Sequence, residues 1–77
     1  MSINGIRSYI KSNLGKTFSF KFKGSRNQID EFIGKIVGVY HSVFTIEVVG
    51  KEKRIKSYSY NDVLIDNLEI KEFLLKK

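Results

Sequence analysis

The sequence predicts a mainly β fold, a small antiparallel barrel of four to five short strands preceded by one short N-terminal helix. Three observations predict it. Apolar residues recur at three- and four-residue intervals near the N-terminus, at Ile3, Ile6, Ile10 and Leu14. Beyond them, apolar and polar residues alternate in short runs broken by glycine and asparagine. The chain has no proline and no second helical stretch of useful length, so a sheet this small must curl to protect its edges.

Each element follows in order. Residues 2–14 stack their isoleucines and Leu14 on one helix face, with Ser2 as cap and Asn13 or Gly15 as terminator. Arg7 and Lys11, four apart, form a basic edge beside that stripe. Residues 17–23 alternate Phe18, Phe20 and Phe22 with Thr17, Ser19, Lys21 and Lys23, which makes the phenylalanines core and turns the lysines outward. A turn at residues 24–27 leads into a long strand over 28–40, where Gly34 and Gly38 mark a bulge or bend. Residues 43–49 form a third strand with Phe44, Ile46 and Val48 on one side. After a tight reversal at 50–52, residues 53–59 form a fourth. Residues 60–64 suit a single helical turn capped by Asp62, residues 68–70 a short closing strand, and 71–77 a tail. The domain plan is therefore 1–77 as one unit, with helix 2–14, barrel 17–70 and tail 71–77, since 77 residues supply one modest core and no more.

Apolar residues make up 42% of the chain, enough to fold it and too many for a segment kept disordered by charge. The net charge of +6 is unevenly placed. Residues 1–29 hold Arg7, Lys11, Lys16, Lys21, Lys23 and Arg26 with no acid, whereas eight basic and eight acidic residues balance from Asp30 onward. Such a field attracts polyanions, and it serves solubility equally well.

Enzymatic chemistry fails on inventory. There is no cysteine, and the single histidine, His41, sits beside Ser42, where strand or turn neighbours point apart and form no dyad. One histidine and scattered carboxylates make no metal site, and no glycine-rich phosphate loop occurs, so no cofactor is expected. The first residues carry no signal pattern and no apolar run spans a membrane, which makes the cytoplasm the expected location and membrane association unexpected.

The order of residues resembles the Veg family of small proteins from low-GC Gram-positive bacteria. The resemblance rests on Asn13-Leu14-Gly15-Lys16, on Gly24 and Arg26, on Gly34 and Ile36, on Tyr40-His41-Ser42-Val43-Phe44-Thr45-Ile46, and on Ser57-Tyr58-Ser59-Tyr60-Asn61-Asp62-Val63-Leu64. It implies an SH3-like barrel, no cofactor, no enzymatic activity, and stimulation of biofilm formation through regulation of transcription. Two departures stand out. His41 occupies a position where the family usually has proline, and the basic run after Gly24 is reduced to Arg26 followed by Asn27.

The expected function is a binding module with a nucleic-acid surface formed by Arg7, Lys11, Lys16, Lys21, Lys23 and Arg26, provided the helix packs beside the first strand. The alternative is a protein partner, another regulator, met through Tyr40, Tyr58 and Tyr60, although the last two also suit structural use. A homodimer formed through an open strand edge is a third possibility.

Overall fold

The computed structural model describes residues 2–24, 28–50 and 52–72. Helix α1 (Ile3–Ser12) begins at Ser2, whose side chain accepts a hydrogen bond from the Gly5 N–H and so satisfies a donor that the first turn leaves free. Ile6 and Ile10 are fully buried and Ile3 packs against them. The helix stops at Ser12, and the chain reverses at Gly15, which takes a positive φ of 87°. Leu14 therefore lies past the last turn and is 52% exposed, contrary to the buried place that its spacing predicts.

Strands β1 (Thr17–Lys23), β2 (Ile29–Val39), β3 (Val43–Val48), β4 (Arg54–Ser59) and β5 (Leu68–Glu72) form one antiparallel sheet in the order β4-β3-β2-β1-β5. The fourth and third strands are each one residue shorter than the sequence predicts. The closing strand runs on to Glu72, because Lys71 and Glu72 pair with Ser19 and Phe18, so two residues of the predicted tail are strand. Gly24 donates its N–H to the Gln28 carbonyl at 2.8 Å, as a turn there requires, while residues 25–27 and the tail 73–77 lie outside the described residues.

Among the described residues no ladder joins β4 to β5, so the sheet is open. It is nevertheless strongly curled. The ring of Tyr58 on β4 meets that of Phe22 on β1, three places away in the sheet, with centroids 5.0 Å apart. Two glycines permit the curl. Between Ile36 and Gly38 the β2–β3 register shifts by one residue, the local bend that a bulge produces. At Gly34 a Cβ would collide with Ile46 and come within 3.2 Å of the Glu47 carbonyl, so β2 and β3 approach there more closely than a side chain allows.

The concave face carries the core: Phe18, Phe20, Ile36, Phe44, Ile46 and Leu68, closed at one end by Ile6 and Ile10 of α1 and by Tyr60. Phe20 stacks on Phe32 at 5.4 Å and Phe44 on Tyr60 at 5.6 Å. Tyr60 opens α2 (Tyr60–Leu64), the single turn between β4 and β5. Its N-cap is Ser59, not Asp62. Asp62 stands at the third helical position and returns a bond to the Ser59 N–H, completing a capping box. The turn ends in a Schellman arrangement, with Asn67 N–H on the Asp62 carbonyl and Asp66 N–H on the Val63 carbonyl. Asp66 takes the left-handed position, φ 61°, that glycine usually fills.

Candidate functional site

Antiparallel pairing decides what becomes of the basic N-terminal third. On the convex face of the sheet Lys21 lies between Glu31 of β2 and Glu69 of β5, its partners in the two ladders. Lys23 forms an ion pair with Glu69 at 3.8 Å. Lys35 likewise stands opposite Glu47. The cations of β1 are thus interleaved with acids that come from far along the chain, and opposite charges on facing positions cancel each other's field at a distance.

Helix α1 packs on α2 and β2, and its isoleucines join the core on the concave side. The lysines of β1 point to the convex side. The helix edge and the outer face of β1 therefore do not merge into one surface. Lys16 sits exposed at the junction of α1 and β1, where its carbonyl accepts from the Ile36 N–H. Arg26 lies outside the described residues.

What the fold does bring together is a second group. Arg7, Lys11 and Leu14 from α1 and its end, with Val39, Tyr40 and His41 from the β2–β3 turn, line an open cleft of about 320 Å³. No acidic residue is among them. Arg7 is held in place: its guanidinium lies 5.8 Å over the Tyr60 ring and donates to Asn4 Oδ1 at 3.1 Å, while its Nε is buried without a partner. Tyr60 also donates its phenolic hydrogen to the Tyr40 carbonyl at 2.5 Å, fixing the turn that carries Tyr40 and His41. The Tyr40 ring itself is 57% exposed. A preplaced guanidinium, a lysine one turn on and an exposed aromatic face are the groups that hold a phosphate and stack a base.

The chain matches the family model described as biofilm formation stimulator VEG over residues 1–71. It belongs to that family. The match embraces every segment on which the resemblance rests and every residue lining the cleft. No curated protein matches the chain. The VEG description names an effect on biofilm formation and no ligand, so the site must be read from this member's own geometry.

The three tyrosines divide accordingly. Tyr40 lines the cleft. Tyr60 is 1% exposed and serves as the floor beneath Arg7. Tyr58 faces inward, its ring against Phe22, Phe32 and Phe44. Beside it lies a pair that the sequence did not reveal. Lys56, 4.6 Å over the Phe32 ring, bonds the Asp30 carboxylate from the far side of the curl. The Asp30 bond holds the Lys56 ammonium above its ordinary pKa, and burial raises the Tyr58 phenol. Alternation along β4 does place Lys56 on the Tyr58 side, but a lysine in that position reads as solvated until the curl supplies Asp30.

Proposed function

We propose that this VEG family member is a non-enzymatic binding module that regulates transcription, and through it biofilm formation, by holding single-stranded nucleic acid in the cleft between α1 and the β2–β3 turn. Arg7 and Lys11 take two successive phosphates and Tyr40 stacks a base. The supporting observation is that this lining is basic and aromatic and free of acids, whereas the other described N-terminal cations on strands face Glu31 and Glu69. Binding of this kind is electrostatic and tolerant of sequence. The SH3-like barrel belongs to the same proposal. Its support is the curl that joins Tyr58 to Phe22 and the single turn α2 between the last two strands. A cytoplasmic site of action completes it; among the described residues no helix is long and apolar enough to cross a membrane.

The test is fluorescence anisotropy with labelled random-sequence single-stranded DNA across a salt series. Two phosphate contacts give a log–log slope of about −1.4 on single strands. A flat response contradicts the proposal.

A second function has support from a different place. Val49 and Ile55, 61% and 58% exposed, flank the β3–β4 connection and suit a protein partner, such as another regulator. In that case Ile55→Asp abolishes the regulatory effect while leaving DNA binding unchanged.

A further inference from the structure

The two edges of the sheet differ in a way that bears on assembly. Strand β4 carries Arg54 and Lys56, follows Lys53, and ends in Tyr58 and Ser59. Two copies of β4 laid antiparallel about Lys56 would set lysine against lysine. Basic side chains are a common guard on an exposed edge. Strand β5 also carries a lysine, Lys71, but an antiparallel copy centred on Ile70 sets it against Glu69 and not against another lysine. The central residues of β5 are Glu69, Ile70 and Lys71, a sequence that is complementary to itself when reversed.

Backbone parity adds to this. Lys23 donates to the Asn67 carbonyl, and the ladder pairs Lys21 with Glu69 and Ser19 with Lys71. On the other side of β1, Gly24 donates to Gln28 and Ile36 to Lys16, so the even-numbered residues of β1 bond to β2 and the odd-numbered ones to β5. Within β5, Glu69 and Lys71 therefore spend their backbone groups on β1. Leu68 and Ile70 direct their N–H and C=O outward, where among the described residues nothing pairs with them. An open cleft of about 370 Å³ runs beside that edge, lined by Tyr9, Leu68 and Ile70 together with the charged Asp66, Glu69 and Lys71. Tyr9 is half exposed there.

We propose that the β5 edge pairs with the β5 edge of a second copy of this chain, antiparallel and centred on Ile70. In that register Ile70 exchanges both backbone bonds with its counterpart. Glu69 of each copy meets Lys71 of the other at a non-hydrogen-bonded position, where facing side chains come closest. Along the convex face the charges then alternate from Lys21 to Glu69 to the second copy's Lys71. The two five-stranded sheets become one of ten strands, and the cleft beside Tyr9 closes against the second copy. Five paired residues a side form a small interface, so the dimer is weak, with a dissociation constant of roughly 10–100 µM. The inference does not depend on the nucleic-acid proposal.

Sedimentation equilibrium of the full chain from about 5 to 500 µM, at low salt, tests it, with circular dichroism to confirm that each variant is folded. The wild type is expected to dimerise. Lys71→Glu, whose side chain faces only Ser19 within its own sheet, is expected to raise the dissociation constant roughly tenfold by placing Glu against Glu. Adding Glu69→Lys in the same chain reverses both partners and is expected to restore the dimer. Three results overturn the proposal: a wild type that stays monomeric throughout, a closed ring larger than a dimer, or a dimer indifferent to Lys71→Glu. A folded double variant that remains monomeric overturns the register.

Discussion

The phenol of Tyr60 donates to the backbone carbonyl of Tyr40, tying the first residue of α2 to the turn between β2 and β3. The same ring lies under the Arg7 guanidinium. One buried side chain thus sets the distance between the cationic and aromatic walls of the cleft. Tyr60→Phe keeps the ring and removes the bond. We expect a loss of about 1 kcal/mol in stability by denaturant titration, the usual net worth of one hydrogen bond, together with weaker binding of single-stranded DNA. Unchanged affinity would show that the Tyr40 turn needs no such anchor.

Gly34 is the position at which β2 and β3 come closest. Gly34→Ala drives a methyl group into Ile46 and towards the Glu47 carbonyl, which is backbone and cannot step aside. Overpacking of this kind costs about 1–3 kcal/mol. Thermal unfolding followed by circular dichroism measures it; a variant as stable as the wild type would show that the two strands can separate without penalty.

Asp66 occupies the left-handed position that closes α2. Asp66→Gly removes the steric cost of a Cβ there, in part offset by the greater freedom of glycine in the unfolded chain. The expected net gain is about 0.5–1 kcal/mol, whereas Asp66→Val is expected to lose at least as much. Chemical denaturation of both variants checks the signs.

Alkaline pH has a defined effect. Lys56 and Tyr58 both have pKa values raised in the folded chain, above ordinary values of 10.5 and 10.0, the first by the bond to Asp30 and the second by burial. A raised folded-state pKa means that the folded chain holds its proton more tightly than the unfolded one. The stability contributed is full below about 10 and is lost as the pH rises through the folded values. Unfolding midpoints from pH 8 to 11.5 should fall above pH 10, and fall less steeply in Lys56→Met, which keeps the aliphatic stem over Phe32.

Local order was legible in the sequence because it follows from period. Three phenylalanines at alternate positions faced inward as their spacing requires, and Gly34 and Gly38 fell where β2 bends. Leu14 departs from its predicted buried place because helical spacing says nothing of where the helix stops. Charge was harder to read. The acid-free run from residue 1 to 29 is asymmetric along the chain, but antiparallel ladders set Lys21 beside Glu31 and Glu69, ten and 48 positions away. No local pattern announces such neighbours. The cleft was half legible: Arg7 and Lys11 form a helix edge by spacing, but its other wall, Tyr40 and His41, comes from the β2–β3 turn and appears only once the core has folded.

The most direct measurement compares two double variants in single-stranded DNA binding at low salt. Arg7→Met with Lys11→Met removes the cleft charges while keeping the aliphatic stems, and Lys21→Met with Lys23→Met removes the same number of charges from the convex face. If the cleft is the site, the first variant loses affinity at least tenfold and its salt slope collapses towards zero, while the second binds within about twofold of the wild type. Equal losses in both would mean that only net charge matters, and a loss confined to the second would place the contact on the convex face of β1.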